Sequence, residues 1–254
     1  MPIPAFLGHA ARRSWVVVLL LGLWLAVGGG AGTSSPGAVA NALARGVTSG
    51  SLTSALGLSL LRLAAALLPA VAVGVAAGAA LCTSRILDDG IAPVLLAVQS
   101  IPSIAWLPVA TAWLGPGTSA VIAVVFIGAF LPMVQATRSG VRGVDPVLAR
   151  AGRVLGARGV FFYSNVLLPA ALPAAVAGLR QAWAFAWRSL LAAELIYGEP
   201  SIGRLLNISQ KHGDMATVFA VLVVIATVGL VVEIAFFGRL GYAVERNRGL
   251  GSAR

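Results

Sequence analysis

The chain has 254 residues, of which 59% are hydrophobic and only 10% charged, and its formal net charge is +10. Soluble domains carry about a quarter charged residues, so this composition excludes an ordinary water-soluble fold and makes lipid the expected solvent. The basic excess does not indicate nucleic-acid binding, because the arginines sit in short gaps between apolar runs rather than among polar and aromatic residues on one face.

Arg12 and Arg13 precede an apolar run from Trp15 to Val27, an outline shared with secretory signal peptides. The rest of the chain is equally apolar, so the run reads as an uncleaved first membrane helix. Crossing the hydrocarbon takes about 20 apolar residues. Six spans are expected, at about 14–31, 52–82, 92–113, 118–137, 171–197 and 215–240. The predicted fold is an all-α integral membrane protein of about six transmembrane helices. The second span is long enough that it must tilt or project beyond the bilayer.

The positive charges orient these spans. With the N-terminus in the cytoplasm, twelve basic side chains fall in inside segments and three (Arg45, Arg204 and Lys211) outside. Both termini are therefore expected in the cytoplasm. Gly115-Pro116-Gly117 signals a tight outer turn. The segment 138–170, between spans four and five, is long and carries the densest basic charge.

Within that segment Asp145 is a good N-cap and Pro146 suits the first helical position. Gly156 suits a stop in the left-handed conformation. Val147, Leu148, Ala151, Val154 and Leu155 fall on one helical stripe, with Arg150 and Arg153 beside it. This predicts a short amphipathic helix. Such a helix either rests on anionic headgroups or docks in a groove on a soluble partner.

The segment reads R-A-G-R-V-L-G at 150–156, then nine residues, then V-L-L-P at 166–169. This resembles the EAA loop of ATP-binding-cassette importer permeases, the binding-protein-dependent, MetI-like type. Ala151, Gly156, Val166, Leu168 and Pro169 match its pattern. Arg150 stands where the family has Glu, and Gly152 where it has Ala. S-I-P-S-I-A-W-L-P at 100–108, T-A-W-L-G at 111–115, L-P-A-A-L-P-A-A-V-A-G-L-R at 168–180 and A-A-E-L at 192–195 are similar to the sulfonate, taurine and nitrate branch.

The resemblance implies that the helix between spans four and five is a cytoplasmic coupling helix. Asp145, Leu148, Arg150, Ala151, Gly152, Arg153, Leu155, Gly156, Leu168 and Pro169 would form its ATPase-docking surface. It also implies a pair of permease copies as a homodimer, two ATP-binding subunits that carry ATP and Mg, and an extracytoplasmic substrate-binding protein. The sequence independently places ATP elsewhere: the single lysine, Lys211, follows Gln210, so this chain has no phosphate-binding Gly-Lys-Ser/Thr loop. No cofactor is expected on this chain, and it is read as a transport subunit rather than an enzyme.

Ionisable residues inside spans usually face the bundle interior or a cavity. Arg188 and Glu194 are therefore candidates for the translocation path, together with Gln99, Ser100, Ser103 and Trp106 on the third span. Pro102 and Pro108 would leave carbonyls free there, which is tolerable beside a cavity. An inward arginine suits an anionic solute, because guanidinium pairs bidentately with oxyanions. Arg180 is expected near the inner end, and Glu233 as a structural partner for one of the arginines. An intramembrane serine protease is disfavoured, because His9 and His212 both lie outside the spans. The remaining alternative is an ion-coupled secondary transporter or channel that needs no ATPase.

Overall fold

The computed structural model describes residues 35–197 and 199–246. Every regular element among them is helical. Ser35 caps α1, Pro36–Thr48, by accepting from the Ala38 N–H, and Pro36 occupies the first turn. The next helix, α2, runs Ser51–Leu81 without interruption. At 31 residues it is about 46 Å long, well beyond a hydrocarbon core of about 30 Å.

The expected third span at 92–113 is not one helix. It is α3, Arg85–Gln99, then a 3-10 turn at Ser103–Trp106 leading into α4, Leu107–Leu114, with a bend of 94° between the two pieces. Proline supplies the physical reason. Pro102 has no N–H to continue the helix, and its ring pushes Ile101 out of the helical region. Pro108, by contrast, lies in the first turn of α4, where a missing N–H costs nothing. The segment also starts earlier than expected, because Ser84 caps α3 at the Leu87 N–H.

The central helix is α5, Thr118–Arg142. Its most apolar stretch is 61% buried, against 11% for the last span, so the other helices pack around it. Leu63, Ala66 and Ala70 of α2 meet Val121, Val124, Val125 and Ala129 of α5, and these meet residues further along the chain at Ala182, Ala186 and Leu190. Small residues allow this close approach. A Cβ on Gly78 would lie 2.6 Å from the Val134 carbonyl oxygen, and one on Gly178 would lie 2.1 Å from the Ala136 Cβ.

A short helix, α6, follows at Pro146–Val154. Next comes α7, Gly159–Ile196, which passes through a π-helical stretch at Tyr163–Leu167. After it, α8 at Ile202–Lys211 is capped by Ser201, whose hydroxyl accepts from the Arg204 N–H. The last element, α9, starts as Met215–Val231, becomes π-helical at Val232–Phe237 and ends as Gly238–Arg246.

Among the described residues four helices are long and apolar enough to cross a membrane (α2, α5, α7 and α9), or five where the bent pair α3–α4 counts as one span. The expected span at 14–31 lies outside the described residues. The chain is a multi-pass, all-α membrane protein.

Candidate functional site

Helix α6 forms for the reasons its sequence suggests. The Asp145 side chain accepts from the Val147 N–H at 2.7 Å, and Pro146 fills the first turn. Gly156 ends the segment in the left-handed region, with φ of 89°. The apolar stripe faces outward: Val154 is 86% and Leu155 87% exposed, and Val147 and Leu148 are exposed as well. A short polar helix that leaves four large apolar side chains bare is a surface prepared for contact.

The other face of α6 is seated. Gly152 is its single buried residue. A Cβ there would lie 3.1 Å from both Val166 methyl groups, so the helix rests directly on the start of α7. The Arg153 guanidinium stacks over the Phe162 ring at 5.2 Å. A cavity of about 600 Å³ opens beside this seat, lined by Asp145, Leu148, Ala151, Gly152, Leu155 and Pro169 among others. Arg150 points to solvent, and Leu168 packs in the small core behind the seat. Six of the expected docking residues thus line one cavity with the start of α7, whereas Leu168 is turned into the core.

The membrane-embedded candidates divide. Gln99, Ser100 and Ser103 come together at the α3–α4 break, in a cavity of about 290 Å³ that also includes Pro132 and Phe185. Ser103 shares a hydrogen bond with Ser189 of α7. Gln99 and Pro132 also line an adjoining groove of about 440 Å³, with Gln135, Ser139 and Gln181. Gln135 and Gln181 escaped the sequence reading, because isolated glutamines in apolar runs carry no periodic signal. Arg188 is exposed, donates to the Ala184 carbonyl at 2.9 Å and lies 4.8 Å from the centre of the Phe185 ring. Phe185 therefore connects this arginine to the cavity at the break. Trp106 does not join them, but packs against the core.

Glu194 does not line an open surface either. It is 1% exposed, and both of its oxygens accept hydrogen bonds. The single Ser59 hydroxyl hydrogen is shared between them, with Oγ at 2.9 and 2.8 Å, and Arg62 and the Gly203 N–H each donate at 3.2 Å. A buried carboxylate must be paired and hydrogen-bonded, and these three donors meet that need. Glu194 therefore sits in a buried network and not in the cavity where Gln99, Ser100 and Ser103 meet. Arg62 continues the network to Glu199 at 3.0 Å, to the Pro200 carbonyl at 3.0 Å and to the Thr118 hydroxyl at 3.2 Å.

The other charged spans pair as well. Arg180 meets Glu233 at 3.2 Å, the structural role expected for that acid. Asp88, fully buried, receives Arg138 and Arg142. Arg188, by contrast, has no acidic partner among the described residues.

Comparison with known proteins agrees with this architecture. Residues 70–238 match the family model described as a binding-protein-dependent transport system inner membrane component. The chain is 33% identical over 244 residues to a probable ABC transporter permease protein of Brucella melitensis biotype 1, covering 93% of this chain and 97% of that one. It is 31% identical over 190 residues to the nitrate import permease protein NrtB of a Synechocystis species, covering 74% and 69% of the two chains. To the taurine transport system permease protein TauC of Escherichia coli K12 it is 32% identical over 190 residues, covering 75% and 67%. The broken span, the seated amphipathic helix and this similarity together show that the chain belongs to the ABC transporter permeases of the binding-protein-dependent, MetI-like family, nitrate and taurine branch.

Proposed function

We propose that this chain is the membrane-spanning subunit of an importer for a small oxyanion, an aliphatic sulfonate such as taurine or an inorganic anion such as nitrate or bicarbonate. Two copies form the pathway. Two separate subunits bind ATP and Mg, and an extracytoplasmic binding protein delivers the solute. Helix α6 lies on the cytoplasmic side, where Arg85, Arg138, Arg142, Arg150, Arg153 and Arg158 concentrate as the positive-inside rule requires.

The observation that carries this reading is α6 itself. Its apolar stripe is bare although its opposite face is held by Val166 and Phe162. A groove on a soluble partner buries such a stripe by the helix-in-groove mode. The solute class rests on Arg188, a cation without an acidic partner beside the cavity to which Gln99, Ser100 and Ser103 bring polar groups. A guanidinium held at one edge of a low-dielectric passage attracts an anion and leaves its remaining donors for the oxyanion oxygens.

The test is co-purification of the chain in mild detergent with its ATP-binding subunits, comparing the unmodified chain with Leu155→Asp. Leu155 is 87% exposed, so the substitution leaves the fold intact while placing a charge on the docking stripe. The ATPase is expected to accompany the unmodified chain and to be lost from the variant. Retention of the ATPase by the variant would refute α6 as the docking element.

A further inference from the structure

Helix α3 is lightly anchored in the bundle. Of its fifteen residues only Asp88 and Ala92 are buried. Ile86, Leu87, Ile91, Val94 and Leu96 are all exposed. Asp88 is therefore its one polar anchor, and that anchor reaches the end of α5. Arg138 holds both Asp88 oxygens, the Nη2 bond to Oδ2 measuring 3.0 Å, and Arg142 joins it. Only Gly143, Val144 and the capping Asp145 separate Arg142 from α6.

A second tie arrives from the other end of α6. Phe162, which carries Arg153 of α6 on its face, is followed by Tyr163. The Tyr163 hydroxyl donates to the Cys82 carbonyl at 3.3 Å, and the Cys82 thiol contacts the Arg138 carbonyl at 3.7 Å. The two ties therefore converge on one short segment, residues 82–88, which is the base of α3. At the far end of α3 lies the 94° break, and Gln99, Ser100 and Ser103 at that break line the cavity described above.

We propose that Asp88 is a positioning residue for transport: through it and the Tyr163–Cys82 bond, movement of α6 on a docked ATPase is delivered to α3 and changes the bend at Ser100–Pro102. The proposal rests on the docking role of α6 and adds the route by which that docking reaches the pathway. Such coupling requires an element with two arrangements, and the proposal assigns that part to the break. The ties are suited to carry force: a carboxylate held by two guanidinium groups resists stretching far more than apolar contact does. A helix with two buried residues yields as a unit rather than unfolding its neighbours.

The test uses the full complex with its ATP-binding subunits and needs no transported solute. Cys82, the single cysteine, is replaced by Ser, which keeps the backbone carbonyl that Tyr163 uses. Spin labels are placed at the exposed positions Leu96 on α3 and Trp113 on α4, and their separation is measured without nucleotide and with ATP and Mg under trapping conditions. The unmodified background is expected to show two separations, ATP shifting the population between them. Tyr163→Phe keeps the ring packing and is expected to cut the ATP-driven shift about fivefold in equilibrium constant, the effect of one lost neutral hydrogen bond. Asp88→Asn is expected to cut it about tenfold or more, because charge-assisted bonds are lost.

Both variants should still retain the ATPase and hydrolyse ATP. If the shift in both equals that of the background, or if the background shows one separation in both states, the proposal is overturned while docking stands. If no ATPase binds the unmodified chain, the docking reading fails and this proposal falls with it. Should Asp88→Asn fail to insert, Tyr163→Phe alone decides.

Discussion

The Arg62 guanidinium donates to the Glu194 carboxylate at 3.2 Å, joining two spans whose sequence positions are 132 residues apart. Ser59 and the Gly203 N–H complete the shell around the same carboxylate. Breaking a buried pair by removing one partner costs about 3–5 kcal/mol, because the remaining charge is left uncompensated. Arg62→Ala should therefore sharply lower the yield of monodisperse protein and its thermal midpoint in detergent. Glu194→Gln keeps an acceptor for Ser59 and should be milder. Any Glu194→Gln protein that folds is expected to transport normally, measured as uptake per molecule inserted, because the carboxylate is buried in this network.

Glu199 lies outside the spans and provides a pH handle on the same network. The Thr118 hydroxyl and backbone N–H, with Arg62 adding its charge, hold the Glu199 carboxyl below the usual carboxylate range. A group depressed in the folded state stabilises the fold fully above its unfolded value, near about 4.3 for Glu. That stabilisation is lost as pH falls through the lower folded value. Thermal midpoints measured from neutral pH down to pH of about 3 should fall more steeply for the unmodified chain than for Glu199→Gln. Thr118→Ala removes the main cause, so the folded value rises toward the unfolded one and the fall should be shallower.

Arg188 separates an anion pathway from a generic pore. Arg188→Gln should reduce uptake of an anionic solute about tenfold or more, the loss of at least one charge-assisted contact. Arg188→Lys keeps the charge but not the planar fork and should fall between the two. ATPase association should be unchanged in both, since Arg188 is remote from α6. Equal uptake by all three proteins would remove the arginine from the solute's route.

Gly152 reports on the seat of α6. A Cβ there meets both Val166 methyl groups at 3.1 Å, a gap that a shift of a few tenths of an ångström relieves. Gly152→Ala is therefore expected to retain the ATPase in pull-down. Gly152→Leu must push α6 off α7 and should lose it, although the docking stripe itself is untouched. If Gly152→Leu binds as well as the unmodified chain, the seat has no part in docking.

Some of this was legible in the sequence because it depends on local chemistry. Asp145, Pro146 and Gly156 act within a few residues of themselves, so α6 is found where capping rules place it. The long second span and the tight turn at Gly115-Pro116-Gly117 follow from composition in the same way. The break in the third span was less legible. Hydropathy continues across it, and a proline in an apolar run reads equally as a kink or as an end. Partner identity was least legible: nothing near Glu194 in sequence names Arg62, and nothing near Asp88 names Arg138 and Arg142. These pairs exist only once α2, α3, α5 and α7 are packed, and packing is helped by small residues such as Gly78 and Gly178, whose role is steric.

The expected coupling is between ATP bound on the partner subunits and passage of an anion through this chain. It is tested most directly by uptake into proteoliposomes containing the chain and its ATP-binding subunits, supplied with the binding protein and with taurine or nitrate as the probe. Accumulation that requires hydrolysable ATP with Mg, and that disappears with Leu155→Asp, is the predicted result. Accumulation by the chain alone, driven by an imposed ion gradient and indifferent to ATP, would contradict the account.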